Sequence, residues 1–178
     1  MARNVEIKAK LPTAHAERVA ARAQALVMAD PQVLHQDDTF YACARGRLKL
    51  RRFADGTAEL IAYRRPDLAG PKTSSYLRTP VADADDLHAA LDAACGAVGR
   101  VRKRRRVVLV GRTRVHLDEV EGLGCFLELE VVLRDGEPEC DGIDEAEALM
   151  LRLGVEPTWL VEGAYLDLLA AGPSDHQG

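Results

Sequence analysis

The sequence predicts an α+β protein built on a closed antiparallel β-barrel of about eight strands, a tunnel with a charged lumen and helices on its periphery. Three observations predict it. Segments of strict apolar–polar alternation recur, the first at Asn4-Val5-Glu6-Ile7-Lys8-Ala9-Lys10-Leu11 and a late one at Phe126-Leu127-Glu128-Leu129-Glu130-Val131. Short turns join most of these segments in succession, as in hairpins. Their polar faces carry acids and bases on too many strands for the solvated side of a plain sandwich. Those faces are therefore expected to look inward, with helices over the apolar ones.

The first segment puts Asn4, Glu6, Lys8 and Lys10 on one face and Val5, Ile7, Ala9 and Leu11 on the other. Pro12 and Thr13 open a helix with Thr13 as its cap, and Val19, Ala23, Leu26 and Val27 give it an apolar stripe as far as Met28. Asp30-Pro31 stops it. Residues 33–41 read as a strand with an acidic break. Residues 46–53 form another, with Arg47, Lys49 and Arg51 on one face. Asp55-Gly56 turns it, as a two-residue hairpin, into a strand over 58–64. Gly70-Pro71 marks a loop before a strand at 73–79. Asp83 caps a helix over 84–95, closed by Gly96. A long strand over 98–111 carries Arg102, Lys103, Arg104, Arg105 and Arg106, of which at least half must lie outside. A strand over 113–120 puts Arg114, His116 and Asp118 on one face, and 125–133 follows. Helices are expected over 144–153 and 162–169. The whole reads as one domain over 1–170 with a flexible tail at 171–178.

Composition excludes several classes. Aromatic residues are 4% of the 178, too few for base-stacking platforms. The formal net charge of −4 gives no overall field for nucleic acid or membrane, so neither is expected as a partner. The bases nevertheless cluster at 45–52, 64–65 and 100–106, which suggests a local anion site. Cys43, Cys95, Cys125 and Cys140 form no CxxC pair and have no histidines at zinc spacing; they read as reduced, small, partly buried residues of a cytoplasmic protein. No apolar run is long enough to span a bilayer, and the N-terminus has no signal-like apolar region. His15, His35, His88, His116 and His176 show no ligand-like grouping and are expected to be surface or hydrogen-bonded structural residues. Trp159 is expected in the core. A monomer or a homodimer is expected, dimers being the commonest closed assembly.

The inward faces point to phosphate chemistry. Lys8, Lys10, Lys49, Arg51, Arg64, Lys103 and Arg105 come from several strands, and Lys49/Arg51 and Lys103/Arg105 each project as a pair. Cations converge where an anion holds them, and a triphosphate offers many acceptor oxygens suited to guanidinium forks. Glu6, Asp118, Glu128 and Glu130 are hard oxygen donors, the type that holds Mg²⁺ or Mn²⁺. Acids for metal beside bases for phosphate make a phosphoryl- or nucleotidyl-transfer site.

In Val5-Glu6-Ile7-Lys8-Ala9-Lys10, Gln36-Asp37-Asp38-Thr39-Phe40-Tyr41, Gly46-Arg47-Leu48-Lys49-Leu50-Arg51, Glu59-Leu60-Ile61-Ala62-Tyr63-Arg64, Lys103-Arg104-Arg105, His116-Leu117-Asp118 and Phe126-Leu127-Glu128-Leu129-Glu130, the chain resembles the CYTH superfamily of triphosphate tunnel proteins. That group includes class IV adenylyl cyclases and thiamine or inorganic triphosphatases. The resemblance implies an eight-stranded antiparallel tunnel that binds a triphosphate, such as ATP or a related nucleotide, with one or two divalent metals. It places Lys8, Lys49, Arg51, Arg64 and Arg105 at phosphate-binding positions and Glu6, Asp118, Glu128 and Glu130 at metal-binding positions. Lys10 and Lys103 join the first set by parity. Glu6, Lys8 and Arg105 are the expected catalytic residues. One position departs: the family opens on ExExK, and here Asn4-Val5-Glu6-Ile7-Lys8 has an amide for the first acid, while a register shifted by two to Glu6-Ile7-Lys8-Ala9-Lys10 loses the second acid. The resemblance implies a cyclase-like reaction giving a cyclic nucleotide and pyrophosphate. Hydrolysis of an organic or inorganic triphosphate, and binding without turnover, are its alternatives.

Overall fold

The structure is a computed structural model that describes residues 2–67 and 69–172. Eight strands form it: β1 (Ala2–Lys10), β2 (Gln32–Tyr41), β3 (Arg47–Phe53), β4 (Ala58–Arg64), β5 (Lys72–Val81), β6 (Ala97–Val110), β7 (Thr113–Val120) and β8 (Gly124–Val132). They close into an antiparallel barrel in the order β1-β5-β4-β3-β2-β6-β7-β8, with β8 paired back on β1. The alternation has the predicted sense. Asn4, Glu6 and Lys8 of β1 face the lumen, and Val5, Ile7 and Ala9 face out.

The main hydrophobic core therefore lies outside the barrel wall. Val5, Ile7, Val115, Leu117, Leu127, Leu129 and Val131 pack under α1 (Thr13–Gln24) and α3 (Glu139–Leu153), which contribute Val19, Ala23, Leu149 and Leu153. Gly142 of α3 lets that helix settle on β1: a Cβ there would come 2.8 Å from Val5 Cγ2 and 2.7 Å from Leu133 Cδ2. Tyr41, Leu50 and Ala58 form a smaller cluster under α2 (Ala84–Cys95). The helices do not cover everything. Leu77 on β5 and Val98 and Leu109 on β6 stay more than half exposed, and Arg100, Arg102 and Arg104 of β6 point outward. Arg104 meets Glu119 at 3.0 Å and Arg102 meets Glu121 at 3.8 Å.

Several boundaries differ from the expected ones. Thr13 is the first helical residue and caps nothing; α1 enters from Pro12 and ends at Gln24. Strand β2 runs through Asp37-Asp38 unbroken, because both carboxylates find arginine partners. The β3–β4 loop is a turn closed by Gly56 N–H to Phe53 O at 3.1 Å, with Gly56 at φ +86°, followed by the Phe53 N–H to Thr57 O bond at 2.9 Å. It is thus one residue longer than a two-residue hairpin, with the glycine supplying the left-handed position. Helix α3 starts at Glu139, ahead of Asp144, since Pro138 sets the entry and Glu139 and Asp141 favour the helix N-terminus. Asp83 does cap α2, accepting from the Asp85 and Asp86 amides at 3.1 and 2.9 Å.

A 3₁₀ turn (Pro157–Trp159) leads to α4 (Tyr165–Ala171), which closes one end of the barrel. Tyr165 packs there with Phe40, Val101, Val120 and Phe126, the inward apolar residues of that end. Arg47 latches the helix in place, donating to Asp167 at 2.9 and 2.7 Å. Ala171 is helical, and the rest of the expected tail, residues 173–178 with His176, lies outside the described residues. Cys43, Cys95 and Cys140 are exposed and Cys125 is half-buried, so most are not the partly buried residues expected; none is in a disulfide. Trp159 flanks the main core. Among the described residues no helix is long and apolar enough to cross a membrane.

Because the outer face of β8 is core and the exposed apolar residues of β5 and β6 are not, substitutions separate the two. Leu129→Ala is expected to lower unfolding free energy by about 2–5 kcal/mol in urea denaturation. Leu77→Ala is expected to change it by less than about 0.5 kcal/mol.

Candidate active site

The lumen is a cavity of about 290 Å³. Its cations arrive in pairs because β-strands return to the same face every second residue. Lys49 and Arg51 project from β3, and Lys103 and Arg105 from β6. The protein holds them with its own acids. Asp38 on β2 accepts from Lys49 Nζ at 2.8 Å and from Arg51 Nε and Nη2, both at 2.7 Å, with Lys103 Nζ at 3.7 Å. Burial alone would raise the Asp38 carboxyl, but Lys49, Arg51 and Lys103 outweigh it and hold it well below the usual range. Arg105 makes a two-pronged bond to Asp118 at 2.7 and 2.6 Å, and the Tyr165 hydroxyl donates to Asp118 Oδ2 at 2.9 Å.

Burial, and then the repulsion of Arg105, bring the Lys103 ammonium down to about 7. Lys49 is lowered by burial and then by Arg51. Three cations face the one Asp38 carboxylate, and the site favours a further anion.

Across the lumen stand the acids of β1 and β8. Glu6 is opposite Glu130 and Lys8 opposite Glu128 in the β1–β8 ladder. Glu6 accepts from Arg65 Nη1 at 2.7 Å, and burial and then Glu128 raise its carboxyl. Glu128 has Lys8 Nζ and Arg105 Nη2 at 3.7 Å each, beyond hydrogen-bond reach. Burial would raise Glu128, but Lys8, His116 and Arg105 hold it well below the usual range. Its carboxylate is thus kept charged without being consumed by a donor. Arg114 Nε lies 3.3 Å from Glu130 Oε2. Lys8 donates to Gly163 O at 3.2 Å and lies 4.2 Å over the Tyr165 ring; burial brings its ammonium down to about 8 despite the pull of Glu128.

The structure brings Glu6, Lys8, Lys49, Arg51, Lys103, Arg105, Glu128 and Glu130 together on one lumen. It does not bring Lys10 or Arg64 there. Lys10 has the right parity, but β1 leaves the barrel at that residue and the side chain is exposed. Arg64 is exposed on the outer face; Glu59, Ile61, Tyr63 and Arg65 point in, so the inward arginine is Arg65. Asp118 is fully buried, with Arg105 and Tyr165 on its oxygens, and does not line the open cavity. His116, expected to be structural or exposed, is buried beside Glu128 and Glu130. Asp38, Arg65 and Tyr165 were missed. Alternation from Gln36 and Phe40 would have found Asp38, and parity with Glu59 would have found Arg65. No pattern in the sequence announces Tyr165, because a helix from far along the chain brings it in. Asn4, Glu6 and Lys8 all face in, which fits the first of the two ExExK registers; the Asn4 Oδ1 is buried with no hydrogen-bond partner among the described residues.

The chain belongs to the CYTH family: the CYTH domain model matches residues 2–165. No curated protein matches it in sequence. Among solved structures it is similar to the PH1012 protein of Pyrococcus horikoshii (TM-score 0.81, 19% identity, 93% of this chain and 98% of that one covered). It is similar to a candidate adenylate cyclase of Vibrio parahaemolyticus (TM-score 0.75, 16% identity, 94% and 97% covered). A third is a candidate adenylyl cyclase of Hippeastrum described as having a dominant triphosphatase activity (TM-score 0.68, 19% identity, 98% and 99% covered).

The lowered Lys103 ammonium gives a signed expectation. Near pH 8 it is mostly neutral in the free protein, and a polyanion beside it drives protonation. Calorimetric titration with tripolyphosphate, in buffers of different ionisation enthalpy, is expected to show net proton uptake near pH 8. Lys103→Met is expected to reduce that uptake, and near pH 6 the contribution of this group is expected to vanish.

Proposed function

We propose that the barrel is a metal-dependent enzyme acting on a nucleoside triphosphate, in the manner of class IV adenylyl cyclases, with a cyclic nucleotide and pyrophosphate as products. The observation that carries this reading is the division of one lumen into a cationic wall, Lys49, Arg51, Lys103 and Arg105, and an acidic wall, Glu6, Glu128 and Glu130. The cavity is at the small end of ligand sites, about 300–1,000 Å³. It suits a phosphate chain with the organic part toward the mouth. Leu34, Phe53 and Val107 line the lumen beyond the cations and offer that part an apolar seat.

Lys49, Arg51 and Arg105 bind phosphate oxygens and stabilise the charge that gathers on the departing pyrophosphate. Asp118 and Tyr165 position the Arg105 fork. Glu128, held charged and without a tight donor, and Glu130 beside it fit a divalent cation such as Mg²⁺ or Mn²⁺. Such an ion, when bound, supplies charge neutralisation on the phosphates. Glu6, held by Arg65, is placed to take the proton of the attacking hydroxyl. Lys8, under Tyr165, completes the cationic lining at the closed end.

Hydrolysis is the second reading. It is favoured by the Hippeastrum neighbour. Asn4, which leaves one acid fewer on β1 than the family's opening motif, favours a third reading, binding without turnover.

Incubation with ATP, and separately with tripolyphosphate, under Mg²⁺ and Mn²⁺ is expected to give cyclic nucleotide and pyrophosphate from ATP, resolved by ³¹P NMR. Orthophosphate as the main product selects hydrolysis. Tight binding with no product overturns both and leaves a binding module. Lys49→Met is expected to lower kcat/KM by about 10²–10³ for whichever reaction is found. Asn4→Glu is expected to raise turnover if the missing acid limits the chemistry.

A further inference from the structure

The acidic wall of the lumen also carries a histidine. His116 on β7 is directly across from Glu128 in the β7–β8 ladder and is 4% exposed. Among the described residues its Nδ1 has no hydrogen-bond partner. That atom lies 3.8 Å from Glu128 Oε1 and 3.8 Å from Glu130 Oε1. Donor atoms of the three side chains all fall within 4.8 Å of one another. A buried ring nitrogen left unsatisfied is costly and calls for a reason. A direct bond to either glutamate does not supply one, since 3.8 Å is too long for N–H···O. A shared cation does. Ligands of a six-coordinate ion at about 2.1 Å stand about 3.0 Å apart when adjacent and about 4.2 Å apart when opposite. The 3.8 Å separations match neither, so the three side chains must shift by a few tenths of an ångström to about 1 Å to take the ion.

We infer that His116 is a ligand of the lumen cation, completing a mixed nitrogen–oxygen set with Glu128 and Glu130. This rests on the proposal that those two glutamates hold the metal. The consequence is selectivity. Mg²⁺ is a hard ion that takes oxygen donors and gives up water reluctantly, whereas imidazole nitrogen is a good donor to first-row transition ions. The site therefore favours a divalent transition ion over Mg²⁺, and Mn²⁺ serves as its probe. The register of β7 puts the ring there: Arg114, His116 and Asp118 share the inward face, where Arg114 meets Glu130, His116 lies beside Glu128 and Asp118 takes Arg105.

The test uses the full chain and Mn²⁺ alone, without nucleotide. Electron paramagnetic resonance counts bound Mn²⁺, and electron spin-echo modulation detects a directly coordinated ¹⁴N. Wild type is expected to bind Mn²⁺ with a ¹⁴N modulation. His116→Gln is expected to lose that modulation and to bind Mn²⁺ at least about 10-fold more weakly. Mg²⁺, measured by competition, is expected to shift by less than about 3-fold. The wild-type spectrum does not depend on how well the variant folds. Bound Mn²⁺ with oxygen couplings only, or unchanged Mn²⁺ affinity in a folded His116→Gln, overturns the assignment and leaves His116 as a buried neighbour of Glu128. Absence of any Mn²⁺ binding to wild type overturns the metal reading along with it.

Discussion

Buried charge must be paired, and in this barrel that requirement governs everything inside the wall. Asp38 gathers Lys49, Arg51 and Lys103, and Asp118 takes the whole fork of Arg105. Removing one partner of such a pair typically costs about 3–5 kcal/mol, so the acids are as necessary to the fold as to any chemistry. The pairing is incomplete by design of the register. Three cations on one carboxylate leave positive charge over, and burial and then the repulsion of Arg105 lower the Lys103 ammonium. A polyanion entering the lumen meets side chains already aimed and already dehydrated, with little ordering left to do.

The wall achieves this by an inversion of the usual plan. Most domains put apolar residues inside; here the strands turn theirs outward, under α1 and α3, and keep the ionic residues in. Of the apolar residues that point inward, Phe40, Val101, Val120 and Phe126 sit at the end where α4 closes the barrel on Tyr165, while Leu34, Phe53 and Val107 line the lumen beyond the cations. Closure and chemistry are thereby linked. Tyr165 seals the end, touches the Lys8 ammonium with its ring and holds Asp118 with its hydroxyl. Arg47, clamped on Asp167, keeps that helix in register with β3.

Much of this was legible in the chain. Strict alternation with charges on one face gave the strand set, the inward direction of Glu6, Lys8, Lys49, Arg51, Arg105, Glu128 and Glu130, and the barrel itself. Parity also shows where reading by motif fails: Arg64 and Arg65 are neighbours, only one can face in, and Glu59 on the same strand decides for Arg65. Lys10 shows the limit of parity, which says where a side chain points but not where the barrel ends. Asp38 looked like a strand-breaking acid because its partners are on other strands, and partnership is a tertiary fact. His116 had no ligand spacing in sequence, since Glu128 and Glu130 come to it across a ladder rather than along a helix.

The central claim is that the lumen carries an excess of aimed positive charge made for a chain of phosphates. Its most direct test is an equilibrium titration of metal-free protein with tripolyphosphate and with orthophosphate at matched ionic strength, on wild type and Arg51→Ala. The account predicts one tripolyphosphate per chain, bound far more tightly than orthophosphate, with most of that affinity lost in Arg51→Ala. Equal, weak binding of the two anions, unmoved by the substitution, would contradict it.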